Sequence, residues 1–155
     1  MSVFEDIKDS TGGSAKSKEW YRSNLISKLS PPLDFKVGDV IYYAYNAATD
    51  NLPFYDQFPM TLVIDIDPIN KQFSGGNLHY LRPTARLSIA KTWGSGSISY
   101  PKRCHHKYFM GRATNMMLVP PSDLVDFVPL PTEQFVRRIG GVYVEIPSSY
   151  IWSRL

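Results

Sequence analysis

The densest cluster of reactive side-chain types in this sequence is Cys104-His105-His106. A thiol beside two imidazoles can form a nucleophile with its base, or half of a metal site. Neighbouring residues of an extended chain point to opposite faces, so Cys104 and His105 need a turn to face one centre. His79 is the one other imidazole in the chain. A small metal- or Cys/His-dependent hydrolase is one interpretation of this cluster.

The residues around the cluster favour a different interpretation. They are cationic or aromatic, namely Lys102, Arg103, Lys107 and Tyr108. In a contact loop of this composition the rings stack while the cations meet phosphates or carboxylates. We therefore predict a partner-binding loop here, with a plain solvated loop as the alternative.

Asp65 and Asp67 form the second candidate centre, two carboxylates on one face of a strand. Such a pair can do acid–base work or hold a cation. It ends at Pro68, however, where Asp commonly stabilises a turn. The sequence contains no glycine-rich phosphate loop, Ser/His/Asp motif or His-Glu zinc motif. It therefore predicts no catalytic residue, no cofactor and no metal ligand.

Composition predicts one compact domain. The chain has 155 residues, of which 43% are hydrophobic and 20% charged, so it is neither disordered nor large enough for two cores. A single cysteine excludes an intrachain disulfide, and no apolar run approaches the roughly 20 residues of a membrane span. Glu5 and Asp6 stand where a secretory signal carries cations. We expect a soluble protein from a reducing compartment that does not bind membranes.

The small net charge of +3 hides a strong asymmetry. Residues 34–67 carry six Asp against one Lys, whereas residues 68–122 carry eight Lys and Arg and no acid. Two interpretations are open. The basic segment can face phosphates or acidic groups of a partner, or the acidic and basic segments can pair within the fold.

Short β-rich runs predict the fold class, which is mainly β. We expect a small SH3-like five-stranded barrel or bent sheet with peripheral helices and extended N- and C-terminal arms. The predicted strands are residues 37–45, 60–66, 72–81, 123–128 and 141–146. The predicted helices follow Pro83 as far as Gly94 and span residues 132–138.

The predicted organisation has three parts. Residues 1–33 form a helical arm, residues 34–147 a β-barrel-like body with a basic excursion at about 94–117, and residues 148–155 a docking tail. The arm helix begins at Ala15, with Ser14 as its cap, and ends before the two prolines at 31 and 32. Its apolar stripe and the aromatic tail must dock on the body or on a neighbour. We predict partner contacts by the stripe residues Trp20, Tyr21 and Leu25 and by the tail residues Tyr150 and Trp152.

A rigid aromatic loop occupies residues 51–59. Pro53 and Pro59 bracket the rings of Phe54, Tyr55 and Phe58, so little ordering entropy remains to be lost on contact. The loop either closes over the end of the body or anchors a partner, and we include its three rings among the predicted partner-binding residues.

Three motifs resemble a family of small virion proteins from large contractile-tailed bacteriophages. They are Gly-Asp-Val-Ile-Tyr-Tyr-Ala-Tyr-Asn at 38–46, Leu-Pro-Phe-Tyr-Asp-Gln-Phe-Pro at 52–59 and Gly-Asn-Leu-His-Tyr-Leu-Arg-Pro at 76–83. A Glu-Trp-Tyr-Arg helix with Leu29 at its end fits upstream, and the similarity covers about residues 17–90. The chain departs from the pattern at Phe54, where the family has Tyr, and at Arg82, inserted before Pro83. Family members are described as structural proteins or as DNA end protectors.

The resemblance implies a non-enzymatic virion structural protein of the tail baseplate or neck. Its expected partners are other virion structural proteins, present in multiple copies in a symmetric assembly, with no small-molecule substrate. The expected location is the virion, and the host cytoplasm during assembly. A DNA-end-binding virion protein is the alternative, and the hydrolase of the first paragraph is the second alternative.

Overall fold

The computed structural model describes residues 7, 9, 11, 16–29, 34–48, 52–92 and 99–153. The described chain is mainly β, as predicted, with eight strands in two antiparallel sheets and a few short helices. The strands are β1 (Val40–Tyr45), β2 (Tyr55–Asp56), β3 (Met60–Asp67), β4 (Gln72–Asn77), β5 (His105–Phe109), β6 (Ala113–Leu118), β7 (Phe135–Ile139) and β8 (Val142–Glu145). The helices are α1 (Lys18–Lys28), α2 (Pro83–Thr92), α3 (Leu124–Phe127) and α4 (Ser148–Ser153).

The larger sheet has the strand order β5-β4-β3-β1-β6, and residues 40–43 of its strand β1 are buried on both faces. Alternation along β1 places Val40 and Tyr42 in one hydrophobic cluster and Ile41 and Tyr43 in another. The first cluster is covered by α1 and α3, whose apolar residues include Leu25. The sheet therefore lies between a helical layer and a second, aromatic core.

The aromatic core forms because the larger sheet bends onto itself. Tyr108 of the edge strand β5 packs edge-to-face on Tyr43 and Tyr45 of β1, with ring centroids 5.6 and 4.9 Å apart. The edge strands β5 and β6 are not hydrogen-bonded to each other in the described chain. Of the two predicted forms, a barrel or a bent sheet, the structure is the bent sheet.

The smaller sheet has the order β2-β7-β8 and ends in a tight hairpin. Gly140 and Gly141 connect β7 to β8 with φ of +56° and +82°, and Ile139 pairs with Val142 across the turn. Two consecutive residues at positive φ suit a hairpin turn that glycine adopts without steric cost.

The helix predicted over residues 132–138 is wrong, because that segment contains β7. The glycine pair was interpreted as a helix stop, but it closes a hairpin instead. Phe135 and Val136 point to opposite sides of β7 and enter different hydrophobic clusters, which is the period of a strand.

The strand predicted over residues 123–128 is also wrong. A 3₁₀ turn at Pro121–Asp123 leads into α3. Leu124, Phe127 and Val128 recur at helical spacing and all enter the main core. Their apolar run fits a short buried helix better than an alternating strand.

The excursion predicted at about 94–117 is not an excursion where the structure describes it. Within it, β5 pairs with β4, and β6 pairs with β1, so both strands complete the larger sheet. Residues 94–98 lie outside the described residues. The third predicted strand is shorter than expected, since β4 ends at Asn77 and a 3₁₀ turn occupies Leu78–Tyr80.

Both predicted arms contain helices that pack on the body. Ser17 caps α1 by accepting a hydrogen bond from the Trp20 amide, whereas the predicted cap Ser14 lies outside the described residues. Leu25 of α1 and Ile151 of α4 are buried in the protein's own clusters. The helix predicted after Pro83 is confirmed as α2.

Candidate functional site

Three hydrogen-bonded side chains join the two sheets through the interior. Nδ1 of His79 donates to Oδ2 of Asp56 over 2.7 Å, and Nε2 of His79 lies 2.9 Å from Oγ1 of Thr132. Asp56 ends β2, His79 lies in the 3₁₀ turn after β4, and Thr132 precedes β7. The order carboxylate, imidazole, hydroxyl is that of a nucleophilic triad.

Burial prevents this triad-like chain from meeting a substrate. Asp56 is 3% exposed, and His79 and Thr132 are not exposed at all. A nucleophile must reach the reacting atom of its substrate, and Thr132 has no such access in this conformation. These three side chains form a buried polar cross-link between the two sheets.

The carboxylate of Asp56 is saturated by donors. Oδ1 accepts from the amides of Phe58 and Gln134, and Oδ2 accepts from Nδ2 of Asn77 as well as from His79. Burial alone raises the pKa of Asp56, but the charge and hydrogen bond of His79, with the other donors, outweigh it and lower the pKa. The group is therefore an ionised acceptor and not an acid catalyst.

A second buried network centres on Glu133, which is 1% exposed. Its carboxylate lies 3.3 Å from Nη2 of Arg86 and 3.3 Å from Nζ of Lys18, and it accepts a hydrogen bond from Ser148. Arg22 donates to the backbone carbonyl of the same glutamate. These partners come from α2, α1 and α4, so one carboxylate holds three helices together.

Arg86 gains further partners in the interior. Nε donates to the carbonyl of Leu81, and Nη1 donates to the carbonyls of Val128 and Leu130. The guanidinium also lies 5.6 Å from the ring centroid of Trp152. Burial lowers the pKa of Arg86, and the charge of Glu133 opposes that shift. The pair is a structural ion pair whose members cannot be removed singly without cost.

The Cys104 thiol is not poised for nucleophilic chemistry. Its side chain is buried, and burial raises its pKa to about 11 despite the nearby charge of Arg103. A thiolate is the reactive form, so this thiol is unreactive near neutral pH.

The two adjacent histidines face different partners. Nδ1 of His105 lies 2.8 Å from the hydroxyl of Tyr100, whereas Nδ1 of His106 donates to the carbonyl of Cys104. His106 also packs its ring against Tyr80, with centroids 4.5 Å apart. The structure does not gather the Cys104-His105-His106 cluster around one centre. Asp67, the second carboxylate of the predicted Asp65/Asp67 pair, accepts hydrogen bonds from Asn70 in the turn after β3, which is the turn-stabilising role.

A cleft of about 440 Å³ lies between β5 and the loop that leads into β2. Its walls are largely aromatic and aliphatic, and Arg103, His106 and Lys107 supply polar groups. Pockets of this size and character are the usual sites of small-molecule binding. Sequence reasoning missed the cleft, because its walls come from strands that are distant along the chain.

The residues predicted to bind partners divide by exposure. Lys102, Lys107 and Tyr150 are exposed, and Arg103 is half-buried. The others are occupied partly or wholly by contacts with the protein's own body: Trp20, Tyr21, Leu25, Phe54, Tyr55, Phe58, Tyr108 and Trp152. The aromatic loop thus closes onto the body, where Phe58 also lies under the guanidinium of Arg22 at 4.9 Å. In this conformation the arms make intramolecular contacts.

The acidic and basic segments do not neutralise each other by Lys/Arg–carboxylate pairs among the described residues. Where both partners are described, Arg86 is the one cation of residues 68–122 in such a pair, and its partner Glu133 lies outside residues 34–67. Asp56 contacts the basic segment through His79 and Asn77, and among the described residues it pairs with none of that segment's Lys or Arg. Most of the basic segment's positive charge therefore remains at the surface.

Sequence reasoning also missed Glu133 and Thr132 as members of the buried networks. Both fall in the stretch that was predicted as a surface helix, and no local pattern marks them. Only a correct assignment of β7 would have indicated that the residues just before it approach β2 and β4.

The searches for metal and membrane features give negative results for the described residues. No group of three or more His, Cys, Asp or Glu side chains there is arranged to hold a metal ion. Among the same residues, no helix combines the length and the apolarity that crossing a bilayer demands. Comparisons of the chain with protein-family models, with curated proteins and with solved structures find no match.

Proposed function

We propose that this protein is a non-enzymatic structural component of a bacteriophage virion, in the tail baseplate or the neck, and that it joins neighbouring subunits. The observation that carries the proposal is an exposed apolar hairpin formed by β7 and β8. Every residue of β8 is exposed, and its outer edge pairs with no other strand in the described chain.

The hairpin has the properties of a docking element. Val142 is 62% exposed and Val144 is 45% exposed, and they share one face of β8 by the two-residue period of a strand. The hydroxyl of Tyr143 donates to Asn46, and the guanidinium of Arg138 lies over the Tyr143 ring, so the hairpin is held against the body. An exposed, preorganised edge strand can add a strand of a neighbouring virion subunit at small entropic cost.

The buried networks also support a structural role. The 52–59 motif and the 76–83 motif, on which the resemblance depends, contact each other through Asp56, Asn77 and His79. These three polar residues are hydrogen-bonded within the fold, which supports a structural use of the motifs.

The test is to place charge on the hairpin face. The double variant Val142→Lys, Val144→Lys should fold, because both side chains are exposed, yet be lost from purified phage particles as measured by quantitative mass spectrometry. Ile69→Lys is the matched control, since Ile69 is 89% exposed and lies in the turn between β3 and β4. Equal copy numbers of both variants in the particles would contradict docking through β8, and absence of the unmodified protein from particles would contradict the virion role.

A DNA-end-binding role is the second candidate, and the exposed cations of residues 68–122 favour it. Its signature would be binding to duplex ends that weakens steeply as salt increases.

A further inference from the structure

The 440 Å³ cleft combines aromatic walls with a cationic end. Tyr45, Phe54, Tyr80 and Tyr108 contribute rings, and Ile151 of α4 contributes an aliphatic side chain. Aromatic side chains around a cavity of this volume favour a planar apolar group as occupant.

Two cations line the same cleft, and neither pairs with a carboxylate of the described residues within 4.0 Å. Nε of Arg103 is buried and has no hydrogen-bond partner in the described chain. Lys107 is exposed and forms no ion pair within 4.0 Å with a described residue. Since Nε is closed to solvent, an anion in the cleft would be held by the charges of the half-buried Arg103 guanidinium and the exposed Lys107 ammonium rather than by Nε.

His106 provides a hydrogen-bond acceptor beside the cations. Its Nδ1 donates to the carbonyl of Cys104, so the neutral ring carries its lone pair at Nε2. Burial lowers the pKa of His106, with a smaller effect from the charge of His105, and the neutral form is therefore favoured at pH 7. The cleft thus offers an acceptor for an N–H or O–H group of its occupant.

Asp56 is the one carboxylate in the lining, and it does not oppose an anion strongly. Its two oxygens already accept four hydrogen bonds, one of them from His79. The charge at that wall is compensated by direct hydrogen bonds, whereas Arg103 and Lys107 have no described carboxylate within 4.0 Å, and Lys107 interacts only at longer range with Asp67.

We propose that this cleft binds a nucleotide, with the base against the aromatic walls, the phosphate at Arg103 and Lys107, and a base N–H or sugar hydroxyl donating to Nε2 of His106. A phosphate monoester carries close to two negative charges at pH 7 and matches two cations, whereas a carboxylate matches one. The aromatic walls would contact the base, the two cations the phosphate dianion, and His106 the hydrogen-bond donor of the nucleotide. The proposal stands independently of the virion role.

The experiment is isothermal titration calorimetry of the full chain with thymidine 5′-monophosphate, thymidine and inorganic phosphate. Thymidine 5′-monophosphate should bind at least about tenfold more tightly than thymidine or inorganic phosphate alone, since stacking and the charged contacts act together. Arg103→Gln should weaken nucleotide binding about tenfold or more, the loss implied by one charge-assisted hydrogen bond. Lys107→Gln gives a second variant at an exposed position, where misfolding is not expected.

Arg112→Gln is the matched control, because Arg112 is an exposed cation of the same segment that does not line the cleft. It should change nucleotide affinity less than about twofold. Equal losses in the Arg103, Lys107 and Arg112 variants would overturn the proposal in favour of a diffuse cationic surface. Nucleotide binding no tighter than that of inorganic phosphate would overturn it as well.

The same cleft can take a free nucleotide or the terminal nucleotide of a nucleic-acid strand. A 5′-phosphorylated oligothymidylate and its unphosphorylated counterpart distinguish these sources. Tighter binding of the phosphorylated strand than of thymidine 5′-monophosphate indicates a strand end, and exclusive binding of the mononucleotide indicates a free ligand.

Discussion

At the scale of single residues, Glu133 is a buried carboxylate that contacts cations of two helices, Lys18 of α1 and Arg86 of α2. Burial raises the pKa of its carboxyl, but the charges of His79, Arg86 and Lys18, with a backbone hydrogen bond, outweigh that effect and lower the pKa. The carboxylate is therefore charged and compensated inside the protein. Removing its charge would leave the guanidinium of Arg86 buried without its counterion.

Glu133→Gln should lower the free energy of unfolding by about 3–5 kcal/mol, the usual cost of breaking a buried ion pair by removing one partner. Urea denaturation followed by circular dichroism measures the change. Glu145→Gln is the control, because Glu145 lies exposed on β8, and its effect should stay within about 0.5 kcal/mol. Similar effects of the two substitutions would show that the network does not stabilise the fold.

At the scale of secondary-structure elements, α4 connects the chain end to the centre of the body. Nε1 of Trp152 donates to the carbonyl of His79 over 3.0 Å. Ile151 is buried in one hydrophobic cluster with Tyr80 of the 3₁₀ turn and Phe135 of β7. The tail was expected to dock on a neighbour. In the structure α4 covers the residues that form the buried networks.

Ile151→Ala should destabilise the isolated protein by about 2–5 kcal/mol, the range for truncating a buried aliphatic side chain. The thermal midpoint of a dilute monomer is the measurement, and Ser149→Ala, at an exposed position of the same helix, is its control. If Ile151→Ala leaves the monomer's midpoint unchanged but weakens its association with other subunits, then α4 docks on a partner after all.

At the scale of the whole molecule, the buried ionisable groups make stability depend on pH. The folded-state pKa values of Asp56 and Glu133 lie below the ordinary values of 3.8 and 4.5. The stability that these carboxylates contribute is therefore complete above the ordinary values and is lost as pH falls from there through the folded-state pKa values. The pKa of His106 is lowered from 6.5, so the unfolded chain takes up a proton first and stability begins to fall below that pH.

We therefore expect the urea midpoint to decrease in two stages as pH falls from 7, the first beginning near 6.5 and the second near 4.5. A series of urea titrations across this range measures both stages. His106→Gln should remove the first stage and retain the second. A midpoint that is constant between pH 7 and pH 4 would contradict the assignment of these groups as buried and coupled to folding.

How much could be predicted from the sequence depends on how local the signal is. Strands β1 and β3 and helix α2 were predicted well, because β-branched runs and a proline-started helix are local patterns. Residues 123–128 were predicted as a strand and contain a helix, and residues 132–138 were predicted as a helix and contain a strand. Short apolar runs do not distinguish the helical period of 3.6 residues from the strand period of two. The glycine pair at 140 and 141 was recognised as a stop, but a stop does not tell which element precedes it.

The sequence by itself determined the class of the fold and the uneven distribution of charge, since these follow from composition and from neighbours along the chain. Only the tertiary structure decided that Asp56, His79 and Thr132 meet, that Glu133 faces Arg86, and that the aromatic cleft lies beside Arg103. The physical reason is that such contacts join residues far apart in the chain, and their positions are set by sheet pairing and packing, which no local pattern encodes.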